Sequence, residues 1–386
     1  MSPGARSRSY ASAGAVALCI ALLVGGCTAT PAAQPSAARP SPGQSGAPAA
    51  TQQTVALPVA RLAVKQHNVG HLSLSGDRLA FTSSGEVWRH GTADRVMVMD
   101  LVSGKRRTVA RTGYPNGMIV SLAATGDHVV WTEQVRPGDP DRGFAVPWRM
   151  HLTNVVTGTD LVIEQSPKDS PPPQPVVARD GLVVWEGQVV WDDNQEAGRT
   201  VHAYSIADRR RTVLTLGGAG ADVSQGWFTY GTHWLGEVHA VPATGGRAVR
   251  LDSHGGAVNP AAAAGRVAWF EAQPARDYGT IWTARLPGSD GVARAAVQVG
   301  AYATADLCVP GEGFVVFHGS DGLVARTVGD TAVGERLLLV AEPRAMLSMG
   351  VSSDGDRVAW AEAEQNDWDE VPTTELVVAE ISTAHS

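Results

Sequence analysis

The chain has 386 residues, of which 44% are hydrophobic and 18% are charged, and its formal net charge is −7. This is the composition of a globular protein rather than a disordered one, and the length allows one large domain or two to three small ones. The net negative charge argues against nucleic acid as a partner, because binding it requires Lys and Arg side chains that replace counterions around phosphates.

The first 26 residues have the pattern of a signal peptide. Arg6 and Arg8 precede an apolar stretch at 13–24, which is shorter than the roughly 20 residues a membrane-spanning helix needs. The stretch ends in Val24-Gly25-Gly26-Cys27, which resembles the lipobox of bacterial lipoproteins. The resemblance implies a diacylglyceryl group on Cys27 as the first mature residue. An ordinary signal peptide with a chance cysteine is the alternative.

Residues 27–53 follow as a segment of almost only Thr, Ala, Pro, Ser, Gln and Gly. Such a segment buries too little apolar surface to offset the entropy of ordering, so we predict a disordered tether. The predicted organisation is a lipoprotein signal peptide at 1–26, the tether at 27–53 and one domain at 54–386. The expected location is the extracytoplasmic face of the cell membrane, with the lipid on Cys27 holding the protein there.

A short signature recurs through the rest of the chain: a turn with Gly or Asp, and then an apolar run with an aromatic residue. Its seven copies lie roughly 40 to 54 residues apart, the spacing of four-stranded propeller blades. They are GDRLAF (76–81), GDHVVW (126–131), DGLVVW (180–185), QGWFTY (225–230), GRVAW (265–269), GFVVF (313–317) and GDRVAW (355–360).

The interior of each copy predicts an all-β fold, a seven-bladed β-propeller of four-stranded antiparallel blades. In the first copy the predicted strands are 71–75, 78–83, 95–104 and 105–110, with period-two apolar alternation and Gly at the turns. The seventh copy has only three strands, at 346–353, 356–362 and 374–382. The unpaired segment 54–64 is therefore predicted to pair into the last blade and close the ring.

This pattern resembles the TolB-type and WD-repeat-like propellers of bacterial envelope proteins. The resemblance covers residues 54–386 and includes the segment D-L-x-S-G-K-R-R at 100–107. The typical S-P-D-G turn is closest at 352–355, and no Trp-Asp dipeptide ends the third strand, which disfavours the eukaryotic WD subclass. The resemblance implies a role in protein binding or scaffolding.

Loop lengths indicate which face of the propeller binds. We label the four strands of each blade a, b, c and d, from the innermost strand at the channel to the outermost. Successive strands alternate in direction, so the a–b and c–d turns share one face and the b–c loops lie on the other. The b–c segments are long at 134–148, 188–199, 272–279 and 363–373. Because binding residues usually lie on loops carried by a rigid scaffold, we predict that the b–c loop face binds the ligand.

Three predicted b strands end in Trp-x-Glu toward that face. Their carboxylates, on Glu133, Glu271 and Glu362, are candidate ligand-binding residues that could form a ring for a cation or a basic peptide. The alternative is structural: the Trp side chains fill space between blades, and the Glu side chains pair with Arg or accept backbone N–H groups.

Two loops supply further candidates. The acidic loop 364–370 contains Asp367, Trp368 and Asp369, and the loop 137–148 ends in Trp148, a candidate recognition residue. Dense carboxylates can hold calcium, but the acidic loop lacks the spacing of an EF-hand, so a solvated loop with an exposed Trp is the alternative. The segment 233–239, with a His at each end, matches no known zinc pattern. We therefore predict no metal and no cofactor.

The usual catalytic strings are absent, including the nucleophile elbow, the zinc helix and the phosphate loop. The sequence thus favours a monomeric binding or scaffold module for a protein, peptide or cell-wall glycan over an enzyme. The alternative is a propeller hydrolase or lyase in which Glu133 and Glu271 act as acid and base. A purely structural envelope protein is a third possibility. Cys308 lies in an apolar run, which predicts a buried, inert thiol.

Overall fold

A computed structural model describes most of the chain from residue 57 onward. The described residues are 57–64, 70–84, 93–136, 145–173, 176–192, 195–216, 218–232, 236–251, 256–272, 279–288, 291–303, 308–320, 322–341, 345–363 and 374–381. The predicted signal peptide, Cys27 and the tether lie outside them. Within these ranges no helix is long and apolar enough to span a membrane.

The described residues form 28 strands in seven four-stranded antiparallel sheets. Strands β2–β5 of the first blade are Leu72–Ser75, Arg78–Ser83, Arg95–Asp100 and Arg106–Arg111; β6–β9 of the second are Met118–Thr125, His128–Gln134, Val146–Asn154 and Asp160–Ser170. Strands β10–β13 of the third are Val176–Arg179, Leu182–Asp192, Gln195–Ser205 and Arg210–Leu216; β14–β17 of the fourth are Ala219–Ser224, Trp227–Gly231, Val238–Pro242 and Val249–Arg250.

The remaining blades continue the same order. Strands β18–β21 of the fifth blade are Ala257–Ala263, Arg266–Ala272, Gly279–Arg285 and Val297–Ala303; β22–β25 of the sixth are Cys308–Gly311, Phe314–Gly319, Gly322–Val328 and Val333–Ala341. The seventh blade contains β26–β28 at Ala345–Asp354, Arg357–Ala363 and Thr374–Glu380, together with β1 at Leu57–Val64. The first strands of successive blades contact one another in chain order, and β26 contacts β2. The fold is therefore a closed seven-bladed β-propeller, as predicted.

The closing strand β1 lies in the last blade, as the sequence analysis predicted. Strand β1 pairs antiparallel with β28 from Leu57↔Glu380 to Val64↔Thr374, with an irregularity between Pro58 and Ala60. Proline has no N–H to donate, so it is tolerated on the outer edge strand that β1 provides. The first described strand of the chain thus completes the last blade, which confirms the predicted closure.

The core consists of seven apolar clusters, one between each pair of neighbouring blades. The aromatic residue of each b strand packs in the cluster shared with the preceding blade, and this explains why the signature repeats. These residues are Phe81, Trp131, Trp185, Tyr230, Trp269, Phe317 and Trp360. A large ring at this position fills the wedge between two twisted sheets.

Short polar side chains of several inner strands join these strands to the next blade. In the first blade, Ser73 Oγ accepts a hydrogen bond from the backbone N–H of Ala124 at 2.9 Å, and Ser75 Oγ accepts one from Gly126 at 2.8 Å. Both donors belong to the inner strand or a–b turn of the second blade. The side chains thus satisfy N–H groups at the edge of a neighbouring sheet.

The same bonds recur where the seventh blade meets the first. Ser352 Oγ accepts the N–H of Leu74 at 2.9 Å, and Asp354 Oδ2 accepts that of Gly76 at 2.5 Å. These two bonds and the β1–β28 ladder join residues that are far apart in the chain. The ring is therefore closed at the inner strand as well as at the outer strand.

The Gly-Asp-Arg sequences of the signature also link neighbouring blades, through ion pairs at the surface. Arg357 binds Asp77 of the first blade at 2.7 Å, and Arg78 binds Asp127 of the second. In each pair the Arg begins a b strand and the Asp lies in the a–b turn of the following blade. Such solvent-exposed pairs contribute little to stability, about 0 to 1 kcal/mol, but they repeat the blade-to-blade register.

Two predicted segments differ from the structure. The third strand of the first copy ends at Asp100 rather than at 104, because Asp100 Oδ1 accepts the backbone N–H of Ser103 at 2.7 Å and so forms a turn. The predicted loop 188–199 is instead a long hairpin, since β11 and β12 extend through it and pair as far as Asp192↔Gln195. The segments 137–144, 273–278 and 364–373 lie outside the described residues.

We predict that removal of β1 destabilises the propeller strongly. A chain beginning at residue 65 should lose at least about 3 kcal/mol of unfolding free energy relative to one beginning at residue 52, since each lost ladder bond contributes about 1 kcal/mol. Urea denaturation of both chains, followed by circular dichroism, measures the difference. Equal midpoints would show that the ladder with β28 does not hold the ring closed.

Candidate functional site

A cavity of about 1250 Å³ opens where the inner strands reach their a–b turns. We call this side of the propeller the turn face and the opposite side, where the b–c loops lie, the loop face. The cavity wall combines the ends of inner strands with the c–d turn of the sixth blade. Its charged lining residues are Arg179, Asp180, Arg266, Arg285, Glu312, Glu335 and Asp354.

Two arginines of the fifth blade share one carboxylate at this wall. Arg266, which is only 4% exposed, donates Nη2–H to the carbonyl of Gly329 at 3.0 Å and lies 4.0 Å from Asp330. Arg285 binds the same Asp330 carboxylate through Nε. Burial, and then the charge of Arg285, lower the pKa of Arg266 to about 10, and Asp330 opposes this shift. At neutral pH the two guanidinium groups therefore carry one positive charge more than their shared partner.

Carboxylates from the sixth and seventh blades line the same cavity. Glu312 and Glu335 of the sixth blade are exposed there, and Asp354 contributes from the inner strand of the seventh. Asp180 of the third blade also reaches the cavity, and its Oδ2 accepts the N–H of Gln225 at 2.6 Å. The third blade thus contributes charges of both signs, whereas the fifth contributes arginines and the sixth and seventh contribute carboxylates.

A buried cluster links the third, fourth and fifth blades. Asp222 Oδ2 accepts the N–H of Ala262 at 2.7 Å, while Arg179 Nη1 donates to the carbonyl of the same alanine. Burial raises the pKa of Asp222, whereas the charge of Arg179 and the backbone donors lower it. Arg179, which lines the cavity, is thereby held across the inner edge of the fourth blade.

Cys308 lies at the start of the inner strand of the sixth blade and is a free, buried thiol. Burial, and then the charge of Asp222, raise its pKa to about 12. The sulfur therefore remains protonated at physiological pH, which removes its nucleophilic character. This environment agrees with the predicted inert thiol.

The three Trp-x-Glu carboxylates lie at the loop-face ends of their b strands and are buried. Glu133 is 1% exposed, and Glu271 and Glu362 are 7% and 5% exposed. Glu271 accepts the indole N–H of Trp269 at 3.0 Å, and Glu362 accepts that of Trp360 at 2.7 Å. These partners are internal, as in the structural alternative, but they are indole N–H groups rather than Arg side chains or backbone N–H groups. None of the three carboxylates lines the turn-face cavity. Their role as ligand-binding residues stays a prediction.

Glu133 belongs to a buried charged network in the second blade. Its Oε2 accepts the N–H of Gly113 at 2.8 Å, and its Oε1 lies 3.2 Å from Nε2 of His151. Nδ1 of His151 lies 2.8 Å from Asp160 Oδ2, and its ring stacks on Trp131 at 4.1 Å between centroids. Burial alone would lower the pKa of His151, but the hydrogen bonds and charges of Asp160 and Glu133 outweigh it and raise the pKa to about 9.

Only some of the other sequence-predicted residues lie within the described part of the chain. Trp148 is buried, at 9% exposure, and its Nε1–H donates to Ser170 Oγ at 3.1 Å, and its role as a recognition residue stays a prediction. Asp367, Trp368 and Asp369 lie outside the described residues. Glu237 of the segment 233–239 binds Arg250 at 2.9 Å and lies 3.2 Å from His239. His233 also lies outside the described residues.

Sequence reasoning missed a repeated aromatic–histidine pair. Strands b and c place Trp131 opposite His151, Trp185 opposite His202 and Tyr230 opposite His239. The ring centroids of the last two pairs are 5.4 Å and 5.5 Å apart. An apolar residue followed by His occurs in each of these three c strands, and that repeat was the available signal.

Known proteins resemble the chain in fold alone. No family model matches it, and no curated protein matches it in sequence. The β-propeller domain of the Trilobed protease from Pyrococcus furiosus, which has an open velcro topology, superposes with a TM-score of 0.54 at 9% identity, covering 81% of this chain and 93% of that one.

Two further structures agree in fold. The acylaminoacyl peptidase of Pyrococcus horikoshii matches at TM-score 0.52 and 9% identity over 80% of this chain and 52% of its own. The Cps50 (Swd1) propeller domain of Myceliophteria thermophila matches at 0.50 and 11% identity over 84% of this chain and 100% of its own. The expected resemblance to WD-repeat-like propellers is consistent with these matches.

We predict that stability falls as the pH rises above neutrality. The pKa of His151 is raised from 6.5 to about 9 in the folded protein, so its contribution is complete below pH 6.5 and is lost through pH 9. The loss should approach about 3 kcal/mol, because each pKa unit corresponds to about 1.4 kcal/mol. Urea denaturation between pH 6 and 10 measures it.

The variant His151→Gln should remove most of this pH dependence. The matched control is His202→Gln in the next blade, because burial and then the charge of Arg211 lower the pKa of His202 instead of raising it. The control should retain the wild-type slope. A wild-type slope in His151→Gln would assign the dependence to another group.

Proposed function

We propose that the chain is an extracytoplasmic binding or scaffold module, held at the membrane by a lipid on Cys27, that takes its ligand in the turn-face cavity. The observation that carries the proposal is the cavity itself. Its volume of about 1250 Å³ exceeds the roughly 300 to 1,000 Å³ of common small-ligand sites, and side chains of both charges line it. Rigid inner strands hold these side chains in place.

This proposal moves the ligand from the loop face to the turn face. The loop-face prediction depended on long b–c segments, several of which lie outside the described residues, while the carboxylates that can be placed there are buried. A protein, peptide or glycan ligand remains the class of partner that the propeller fold favours. The loop face is kept as the competing outcome of the test below.

Binding is favoured over catalysis by the state of the reactive groups that can be placed. Glu133 and Glu271, the acid and base of the hydrolase alternative, are buried and engaged in internal hydrogen bonds. The Cys308 thiol has a pKa raised to about 12. Neither arrangement offers an accessible nucleophile or base, since such groups need access to substrate and a pKa near the working pH.

Photo-crosslinking tests the position of the site. A photo-reactive amino acid at position 332, which lines the cavity, should form an adduct with the ligand in intact cells, whereas the same residue at the exposed position 102 should not. Position 102 lies in a c–d turn of the same face and is the matched control. The adduct should survive deletion of 137–144 and 364–373. If deletion of these two segments abolished the adduct, the ligand would bind at the loop face instead.

The lipid on Cys27 is tested separately. The variant Cys27→Ala should abolish incorporation of radiolabelled palmitate and move the protein from the membrane fraction to the medium or soluble fraction. Cys19→Ala is the matched control, because Cys19 lies in the predicted signal peptide and should be removed with it. Unchanged membrane association of Cys27→Ala would contradict the lipoprotein assignment.

A further inference from the structure

We propose that the turn-face cavity binds a zwitterionic ligand of the short-peptide class, with the ligand carboxylate at Arg266 and Arg285 and its ammonium group at Glu312 and Glu335. This inference rests on the proposed binding function and names the chemistry of its ligand.

The arginine side of the cavity lacks a full set of anionic partners. Arg266 is 96% removed from solvent, yet its ionic partner Asp330 lies 4.0 Å away and is shared with Arg285. A buried guanidinium group presents five N–H donors in a planar fork that matches a carboxylate. A ligand carboxylate would place a second negative charge beside the two arginines, which share the single carboxylate of Asp330.

The carboxylates of the lining disfavour a simple anion. Four carboxylates and three arginines line the cavity, so its lining is negative in sum. Three of the carboxylates, Glu312, Glu335 and Asp354, come from the sixth and seventh blades, which follow the arginine-bearing fifth blade in the ring. A phosphate or another multiply charged anion would be attracted by the arginines and repelled by these carboxylates. A ligand with one charge of each sign can interact favourably with both groups.

The remaining lining is suited to a polar, extended ligand. No aromatic side chain lines the cavity among the described residues, whereas pockets for flat apolar ligands are rich in them. Backbone groups of the a–b turns and small side chains such as Ser224 and Thr327 border the space instead. Peptide groups can form hydrogen bonds with both. The size and the charge pattern together point to several linked residues rather than to one amino acid.

Equilibrium dialysis of the full-length protein against a randomised tetrapeptide library tests the inference. The library is used with free termini, with N-acetylated termini and with C-amidated termini, and retained peptides are quantified by mass spectrometry. Peptides with free termini should be retained, and either block should reduce retention roughly tenfold through loss of a charge-assisted contact. Inorganic phosphate is added as a competitor.

Two variants assign the ends of the ligand. Arg285→Gln, at a side chain that is 56% exposed, should abolish the preference for a free carboxylate but keep the preference for a free amine. Glu312→Gln should do the reverse. Arg210→Gln, at an exposed arginine of strand β13, is the matched control and should bind as the wild type does. The buried Arg266 is left intact so that folding is preserved.

Three results would overturn the inference. They are retention of no peptide form, equal retention of free and blocked peptides, and displacement by phosphate as effective as by free peptide. If crosslinks at position 332 form while the peptide library is not retained, the binding function stands and the zwitterionic ligand is wrong. If both fail, the proposed function fails with it.

Discussion

The fold depends on a constraint at the inner edge of every blade. A strand next to a central channel has one unpaired edge, whose N–H groups need partners when water is limited. The protein supplies these partners from the preceding blade: Asp180 accepts from Gln225 at 2.6 Å, and Ser224 accepts from Gly265 at 3.0 Å. One short side chain thereby satisfies an edge donor and fixes the position of the next sheet.

This constraint explains why the ring has no weak seam between its first and last blades. A propeller made from one chain must join two blades that no peptide connects. Here the join has the inner contact that also links the first and second blades, through Ser352 and Asp354, and an apolar cluster in which Leu74 and Phe81 pack against Leu376 and Val378. The β1–β28 ladder then adds the outer strand. Closure is therefore the ordinary blade contact repeated once more, with one additional strand.

The fold could be predicted from the sequence because its signal is local and repeated. The aromatic residue of each b strand recurs at a fixed distance from a turn, so the number of blades and the closing strand follow from one chain. Such a turn is visible even where its residues change: Gln225-Gly226 has positive φ at both positions, 47° and 76°, as a two-residue hairpin requires. The contacts between blades depend on which side chains of neighbouring sheets meet. The repeated signature does not specify these pairs.

The candidate site could not be predicted for that reason. Trp-x-Glu allowed either a ring of ligand-binding carboxylates or carboxylates with internal partners. Residues two apart in a strand share a face, so Glu271 and Glu362 lie beside their own Trp and accept its N–H. The turn-face cavity, in contrast, draws its charged residues from four blades, and no segment of sequence contains more than a few of them. Only the closed ring brings them together.

The cavity also lies where the inner contact changes. The positions that carry Ser73 and Ser75 in the first blade are Ala261 and Ala263 in the fifth, and an alanine side chain cannot accept a hydrogen bond. The fifth and sixth blades are joined instead by Arg266, which reaches the Gly329 carbonyl in the c–d turn of the sixth. Arginine occupies the same position in the first and seventh blades, but Arg78 and Arg357 reach the a–b turn of the next blade. The small residues Ala263, Ala264 and Gly265 border the cavity beside Arg266. Where the two short acceptors are missing, the arginine of the signature therefore contacts a different turn and lies buried at the wall of the candidate site.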